Sequence, residues 1–289
     1  MTKRTFRRRR RRHPLRAPFL LLLLTALALF VYWSNHTLQV DSFTYSSPKL
    51  PAGFDGCTIV QLSDLHGAEY GEDNSDLIAA VRDAQPEYIF LTGDLQDRFR
   101  ETPAEYAVTL CAELAAIAPT YYVTGNHEWA LGGIHSLKSA IRETGVTVLT
   151  NESLTLERNG DTILLAGIDD PNGFADQKTP EELSDEITEA WGDRFWMLLA
   201  HRNNHFLKQY CKLGADLVIS GHAHGGIIRL PFTDGLIGTD RNLFPTYTSG
   251  FYEENGTTLF VSRGAGNSGS SLRLFNRPQV VVLTLKSDQ

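Results

Sequence analysis

Cysteine is scarce in this chain. Among 289 residues only Cys57, Cys111 and Cys211 occur, and they are odd in number and widely spaced. A disulfide framework favours an even and denser set, and none of the three lies in a metal-ligand spacing. We therefore expect small buried core residues, with no disulfide framework and no structural zinc site built from thiolates.

Charge is absent from one segment and unbalanced in the rest. Residues 17–40 contain no Asp, Glu, Lys or Arg, and residues 17–33 are almost wholly apolar. Residues 1–16 contain no acid but nine of the 27 Lys and Arg, which leaves 18 basic against 34 acidic residues beyond them. An acidic body without a basic aromatic groove would repel a polyanion, so nucleic acid is disfavoured as a partner.

The basic tip and the apolar run behind it predict a membrane anchor. Seventeen helical residues rise about 25 Å, close to the short limit for a bilayer span. The positive-inside rule then places residues 1–16 in the cytoplasm, residues 17–33 in the cell membrane as a single-pass signal anchor, and the body outside. Two alternatives stay open. Ala26-Leu27-Ala28 is a small-x-small site for a cleaved signal peptide, and the arginine run also suggests a twin-arginine export signal.

The first half of the body alternates short apolar strands with amphipathic helices. Residues 34–56 read as a linker that continues into a first strand, and residues 57–289 as one domain. We predict strands over 58–62, 88–92 and 121–124, with helices over 76–84, 103–117 and 133–143. This order is typical of an α/β domain with a largely parallel first sheet.

The second half has a different pattern. Asn159-Gly160 between two apolar runs predicts a hairpin of strands 154–157 and 162–166. A helix near 179–190 follows, and then come strands at 195–200, 217–220, 257–262 and 280–285. Two sheets packed face to face, with helices outside, fit this pattern better than one doubly wound sheet.

Polar residues follow five of these strands, at the edge where ligands collect in α/β sheets. They belong to five short stretches: Asp64-Leu65-His66, Gly93-Asp94, Gly125-Asn126-His127-Glu128, His201, and Gly221-His222-Ala223-His224. The neighbouring glycines let the backbone turn sharply and approach an ion closely. Each stretch alone is more simply a turn, a helix cap or a buried imidazole. All five in this order, each behind a predicted strand, favour a site.

The residue types indicate which ions such a site would hold. Carboxylate, amide oxygen and imidazole suit Mn²⁺, Fe or Zn²⁺, whereas all-oxygen sites favour Mg²⁺ and Ca²⁺. Two Asp, one Asn and four His are enough for two divalent ions if one carboxylate bridges them. Two ions ~3.5–4 Å apart polarise a phosphoryl group and generate hydroxide between them.

The five stretches resemble the pattern of the calcineurin-like metallophosphoesterases, and the likeness spans residues 57–286. It implies a four-layer fold in which helices flank a two-sheet β-sandwich. It also implies that Asp64, His66 and His224 hold one ion, that Asn126, His201 and His222 hold the other, and that Asp94 bridges them. His127 would face the phosphate as proton donor or charge stabiliser. Mn²⁺ is the favoured metal, with Fe, Zn²⁺ or a mixed pair as alternatives.

Later segments resemble a narrower branch of membrane-anchored bacterial phosphodiesterases, some of which cleave pyrophosphates such as UDP-diacylglucosamine. The segments that carry this likeness are Gly225-Gly226, Leu243-Phe244-Pro245, Tyr247-Thr248-Ser249-Gly250, Val261-Ser262-Arg263-Gly264, Asn267-Ser268, Arg273 and Arg277-Pro278. Arg263 and Arg273 would bind a second phosphate or a uridylyl group by bidentate hydrogen bonds, or are plain surface arginines. The loop 227–250 would contact acyl chains, or would pack on its own domain.

These observations predict a metal-dependent hydrolase of phosphodiester or lipid-linked pyrophosphate bonds at the outer face of a membrane. A hydroxide that bridges two metals would attack the phosphorus. One alternative is a phosphomonoesterase, including a protein phosphatase, because the metal ligands do not separate the two activities. A second is a membrane-tethered metal-binding scaffold without turnover, although a degenerate site would usually lack ligands.

Overall fold

In a computed structural model, residues 16–173, 177–230, 233–239, 241–269 and 272–288 are described. Residues 1–15 of the predicted basic tip therefore lie outside the described residues. The α-helices are α1 (Arg16–His36), α2 (Ser75–Asp83), α3 (Ala104–Ala115), α4 (Asn126–Leu131), α5 (Ile134–Glu143) and α6 (Pro180–Trp191). The strands of the first half are β1 (Gln39–Ser47), β2 (Thr58–Leu62), β3 (Tyr88–Thr92), β4 (Thr120–Val123), β5 (Thr147–Val148), β6 (Glu152–Arg158) and β7 (Asp161–Gly167). Those of the second half are β8 (Trp196–Arg202), β9 (Leu217–Gly221), β10 (Ile228–Arg229), β11 (Gly235–Ile237), β12 (Gly250–Glu254), β13 (Thr257–Val261) and β14 (Gln279–Ser287).

Two six-stranded sheets form the centre of the fold. The first has the order β1-β14-β2-β3-β4-β5, and each of its pairs is parallel except β14 with β2. The second has the order β12-β13-β9-β8-β7-β6, with an antiparallel pair at each edge and parallel pairs between. The predicted two-sheet α/β sandwich and its largely parallel first sheet are thereby confirmed.

The strands are apolar on both faces because each sheet packs against the other sheet on one face and against helices on the other. In β3, Tyr88 and Phe90 lie between the sheets, whereas Ile89 and Leu91 pack toward α2, α3 and α5. In β8, the residues Met197 and Leu199 face the first sheet, and their neighbours pack against α6 and the segment 206–215. Continuous apolar runs are typical of strands buried on both faces. The result is four layers, in the order helices, sheet, sheet, helices.

Local sequence signals account for most of the element ends. Thr179 caps α6 through a hydrogen bond from the Glu182 amide, and the Glu182 carboxylate accepts the Thr179 amide in return, which forms a capping box. Asn159-Gly160 makes the predicted turn, and β6 and β7 pair in antiparallel register from Glu152–Gly167 to Arg158–Asp161. The three cysteines are buried and free, as expected.

The last strand returns to the first sheet. Strand β14 inserts between β1 and β2, and β1 pairs with it in parallel along its whole length, from Gln39 opposite Gln279 to Ser47 opposite Ser287. The segment predicted as a linker with a first strand therefore contributes an edge strand to this sheet. Helix α1 precedes β1, and its residues Pro18–His36 are long and apolar enough to cross a membrane.

Candidate metal centre

The carboxyl ends of strands from both sheets meet above the sandwich. They bring together all seven residues predicted as metal ligands, Asp64, His66, Asp94, Asn126, His201, His222 and His224. The first sheet supplies the loops behind β2, β3 and β4, and the second supplies the end of β8 and the loop behind β9. Two groups of predicted ligands result, Asp64-His66-His224 and Asp94-His201-His222, and Asp94 of the second also lies beside His66 of the first. His127 forms a third cluster with His66 and Asp94.

The first group is built around two facing imidazoles. Nε2 of His66 lies 3.0 Å from Nε2 of His224. Asp64 Oδ1 lies 3.5 Å from Nε2 of His224. Asp94 Oδ2 lies 3.7 Å from Nε2 of His66. Two ring nitrogens and an Asp64 oxygen therefore lie within 4.8 Å of one another, with Asp94 Oδ2 beside His66, and this donor set suits a divalent cation.

The second group surrounds the same Asp94 oxygen from the other side. Nε2 of His201 lies 3.2 Å from Asp94 Oδ2, 3.2 Å from His222 Nδ1 and 3.2 Å from Asn126 Oδ1. Asp94 Oδ2 therefore faces both groups, as a bridging carboxylate would. The assignment of particular atoms to particular ions stays a prediction.

Most of these histidines are held neutral. Burial lowers the pKa of His66 and of His222 well below the usual value and lowers that of His224 to about 4. A neutral imidazole keeps a lone pair for a cation, and the atoms that face the two groups are Nε2 of His66 and Nδ1 of His222. The opposite ring nitrogens, Nδ1 of His66 and Nε2 of His222, are buried without a hydrogen-bond partner among the described residues. The donor set therefore fits divalent ions.

His201 shows the opposite shift. Burial lowers its pKa, but the carboxylates of Asp94, Asp64 and Asp170 together raise it to about 10. Burial likewise raises the pKa of Asp94, and His201 with the other histidines holds it well below its usual value. Positive charge beside Asp94 is thus strongly favoured, and a metal ion supplies the same charge. Nδ1 of His201 faces the Thr92 carbonyl at 2.8 Å, which leaves Nε2 for the site.

The backbone is strained at most of the metal residues. Asp64, His66, Asp94, His222 and His224 all have positive φ angles, between 47° and 67°. Residues other than glycine rarely adopt this conformation, and such strain concentrates at functional sites. Five strained residues in one cluster indicate that the fold holds these side chains in place at a cost in stability.

Two glycines allow the close approach of the loops. A Cβ atom on Gly221 would lie 1.8 Å from Ser63 Oγ and 2.4 Å from Asp64 Oδ2. One on Gly125 would lie 2.2 Å from Asp94 Oδ1. The glycines thus make room for the carboxylates, as the sequence suggested for these positions.

Glu128 holds the Asp94 loop in place through backbone hydrogen bonds. Its buried carboxylate accepts the backbone N–H groups of Asp94, Gln96 and Gly125 at 3.0, 3.0 and 2.8 Å. Burial and the charge of Asp94 raise the pKa of Glu128 to about 7. Glu128 therefore ties the loop behind β3 to the start of α4. The sequence offered one signal for this role, a glutamate three residues after Gly125 at a helix start.

His127 lies at the opening of the site. Its backbone N–H donates to Asp94 Oδ1 at 2.8 Å, and its Nε2 lies 4.0 Å from Asp94 Oδ2 and 3.4 Å from Ser268 Oγ. Nδ1 lies 3.1 Å from the Arg98 backbone nitrogen, whose N–H it accepts, and 3.2 Å from an Asp97 carboxylate oxygen, and these two contacts orient the ring. Asp97 was not among the predicted site residues, although it stands only three residues after Asp94.

The two arginines predicted to bind substrate make contacts inside the protein. The Arg263 guanidinium donates to Asp41 on β1 at 2.6 Å. Arg273 is buried and donates to Asn267 Oδ1 at 2.7 Å and to the Gly266 carbonyl at 2.6 Å. A terminal nitrogen of Arg273 also lies 3.2 Å from Nδ1 of His224, directly behind the first metal group. Contact of either arginine with substrate stays a prediction.

A cavity of about 990 Å³ opens over the two metal groups. Asp94, Asn126, His222 and His224 form part of its lining, and His127 stands beside them. Four arginines also line it, namely Arg98, Arg100, Arg202 and Arg241. Arg202 is paired with Asp170 at 2.6 Å. The cavity thus combines a metal-binding floor with basic walls, which suits an anionic ligand larger than a single phosphate.

Comparison with known proteins agrees with this geometry. Residues 57–226 match the family model described as calcineurin-like phosphoesterase. The uncharacterized metallophosphoesterase YkuE of Bacillus subtilis is 34% identical over 262 residues, which cover 89% of this chain and 88% of that protein. The chain belongs to the calcineurin-like phosphoesterase family. This calcineurin-like phosphoesterase is therefore a metal-dependent enzyme of the binuclear type, with buried His and Asp metal-binding sites.

Two further comparisons extend the picture of this phosphoesterase. A transmembrane protein with metallophosphoesterase domain of Bos taurus is 28% identical, over 83% of this chain and 55% of that protein. Among solved structures, the Thermus thermophilus sulfate thiohydrolase SoxB in complex with glycerol aligns with a TM-score of 0.51 at 13% identity, over 81% of this chain and 57% of that one. The second likeness shows a shared fold.

Glu128 gives a first test of how the phosphoesterase holds its metals. We expect Glu128→Gln to weaken Mn²⁺ binding by about 10–100-fold, because the amide replaces one acceptor oxygen with a donor and frees the Asp94 loop. Isothermal titration calorimetry measures the effect. Glu157→Gln, on the exposed surface of β6, is the control and should bind like the unchanged protein. Unaltered binding by Glu128→Gln would contradict the positioning role.

Proposed function

We propose that the protein hydrolyses phosphodiester or pyrophosphate bonds at the outer face of a membrane. The observation that carries this proposal is the position of Asp94 Oδ2, which faces both metal groups on the floor of a large basic cavity. Two divalent ions bound there would polarise a phosphoryl group and supply hydroxide for in-line attack. Mn²⁺ is the metal we propose, with Fe, Zn²⁺ or a mixed pair as alternatives.

The protein's own residues would act around that reaction. His127, oriented by Asp97, presents Nε2 to the cavity and would donate a proton to the leaving group or stabilise the charge that develops on it. Glu128 and the surrounding backbone N–H groups keep Asp94 in place. The fixed positions of these groups mean that little reorganisation is needed when charge develops.

The size and the lining of the cavity favour a diester or a pyrophosphate over a monoester as the substrate. Its volume of about 990 Å³ lies at the upper end of ligand cavities, so it has room for a group on each side of the phosphorus. Arg98, Arg100 and Arg241 line its walls, where a second phosphate would bind, and Arg100 also lies 3.6 Å from the Asp97 carboxylate. A pyrophosphate linked to a lipid is the substrate class that combines these features with the apolar helix α1.

Helix α1 supports the membrane location. Its apolar residues from Phe19 to Leu29 are exposed on the protein, and Tyr32 and Trp33 follow at the end near the domain. A basic tip on the far side of this helix favours a cytoplasmic N-terminus. We propose that the helix is an uncleaved anchor and that the domain lies outside the cytoplasm.

Replacing the bridging carboxylate tests the metal centre itself. We expect Asp94→Asn to abolish both metal loading and turnover, because the neutral amide removes the charge shared by the two ions. Metal content by mass spectrometry and hydrolysis of a chromogenic phosphodiester and the matching monoester in Mn²⁺ measure the two effects. Asp185→Asn, exposed on α6, is the control. Full turnover by Asp94→Asn would exclude the bridging role, and a preference for the monoester would favour a phosphatase.

Substitution of His127 distinguishes a role in catalysis from a role in metal binding. We expect His127→Ala to lower kcat by roughly 10²–10⁴-fold, the usual worth of general acid catalysis, with two metal ions still bound. His135→Ala, at an exposed position of α5, is the matched control. Loss of metal in His127→Ala would instead make His127 a ligand, in keeping with its place in a cluster with His66 and Asp94. Normal kcat with full metal content would remove His127 from the mechanism.

The arginines test the diester and pyrophosphate assignment. We expect Arg241→Gln to raise KM for a pyrophosphate diester by roughly 10–100-fold, because this exposed side chain lines the cavity and one charge-assisted hydrogen bond contributes about 1.5–3 kcal/mol. Arg263→Gln is the comparison, since its guanidinium is already paired with Asp41. A larger KM effect in Arg263→Gln would favour direct contact of Arg263 with substrate.

A further inference from the structure

The carboxyl end of α1 is built into the catalytic domain through one asparagine. The Asn35 side chain donates to the Arg273 carbonyl at 2.9 Å and accepts the Arg273 N–H at 2.8 Å. Asn267 also donates to Asn35 Oδ1, at 3.2 Å. Ser34 and Asn35 are buried. A helix held by several specific hydrogen bonds has a defined direction relative to the domain, unlike one on a flexible linker.

Contacts to aromatic side chains fix the position along α1 at which the domain packs against the helix. The Arg277 guanidinium lies 4.7 Å from the Trp33 ring centre, and the Phe275 ring lies 4.8 Å from that of Phe30. Phe30 stands three residues before Trp33, about 4.5 Å further along the apolar part of the helix. Trp and Tyr mark membrane interfaces, so Phe275 reaches the bilayer surface or just below it when Trp33 sits at the interface.

Next to Phe275, a chain of backbone pairings begins at Leu274 and continues across the loop 227–250. Leu274 forms a bridge with Ile228, which pairs with Ile237, which in turn forms a bridge with Leu243. The Phe244 N–H donates to the Leu236 carbonyl at 3.0 Å. This small layer carries exposed large apolar side chains, which we name the apolar rim: Leu230, Leu243, Phe244, Leu272 and Phe275.

The apolar rim is unusually exposed and borders the cavity. Leu243 and Phe244 are 70% and 73% exposed, and the exposed Arg241 stands two residues before Leu243. Leu272, Arg241 and Ile228 also line the cavity over the metal groups. A group of exposed apolar side chains next to a site marks a surface for a membrane or a partner. Contact of the same layer with α1 favours a membrane.

We propose that the apolar rim rests on the lipid bilayer, so that the cavity opens at the membrane surface. The substrate then enters from the bilayer as an amphiphile, with its phosphoryl group over the metals and its apolar chain still among lipids. This inference rests on the proposed function, whose substrate it narrows to a membrane-embedded phosphoester. A protein partner or a second copy of the chain on the same rim is the competing occupant.

Site-directed fluorescence tests the position of the rim in the full-length protein. The three native cysteines are buried, so a maleimide dye reacts with an introduced one. The test variants are Leu243→Cys and, if that variant fails to fold, Phe244→Cys. Leu23→Cys, exposed in α1, reports on the anchor, and Glu157→Cys, on β6 opposite Thr162 where β7 begins, reports on the far edge of the sheets. Each is reconstituted in phosphatidylcholine nanodiscs with nitroxide-labelled lipids.

We expect the Leu243 label to lose most of its fluorescence with nitroxides near the headgroups, and the Leu23 label with nitroxides deep in the acyl region. The Glu157 label should keep its signal. A quenched Leu23 label with an unquenched Leu243 label would overturn the proposal and leave a protein occupant. An unquenched Leu23 label would overturn it too, because the helix would then lie outside the bilayer. Quenching of all three labels would mean nonspecific adsorption and would equally overturn it.

Hydrolysis of a soluble chromogenic diester is measured separately on the unlabelled nanodisc protein. Its absence together with a quenched Leu243 label would refute the proposed hydrolase while the rim remained at the membrane. Its presence together with an unquenched Leu243 label would refute the rim alone. The two proposals therefore fail in different ways.

Discussion

The buried carboxylate of Asp94 is the point on which the rest of this structure depends. One of its oxygens faces both metal groups, and the other accepts the His127 N–H. An unpaired buried anion is costly, so the surrounding groups must supply positive charge and hydrogen bonds. His201 supplies positive charge beside the carboxylate, and Glu128 holds the Asp94 backbone by accepting its N–H. Metal ions would supply the remaining positive charge. The positive φ of the neighbouring ligands indicates how firmly the fold holds this arrangement.

The two-sheet sandwich explains how one carboxylate can meet ligands from both halves of the chain. Asp94 follows β3 in the first sheet, whereas His201 ends β8 in the second. The sheets pack through side chains such as Phe90 and Met197, which leaves their carboxyl ends at the same level. Strand β14 closes the first sheet from the far end of the sequence, so the site depends on contacts across the whole domain.

The sequence predicted the strands, the hairpin and the seven clustered residues because each has a local signal. Apolar runs mark strands buried on both faces, and polar residues beside glycine mark their ends. Pairings between distant residues have no such signal, and for that reason the roles of Glu128 and Asp97 and the Arg263–Asp41 contact emerged only from the structure. The edge strands β5 and β12 and the short strands β10 and β11 were not predicted, because strands of two to five residues that lie away from the sheet centres carry little apolar pattern.

A chain of contacts connects the apolar helix to the metal centre. Asn35 holds the backbone of Arg273, whose guanidinium reaches Nδ1 of His224, and Nε2 of that ring faces the first metal group. Arg273 is fully enclosed, so it has little freedom to absorb a shift of the helix. A fragment that begins at Gln39 would keep β1 but lose the Asn35 contacts. The end of the helix is therefore part of the catalytic domain in a structural sense, and the activity of the enzyme is properly measured on the full-length protein.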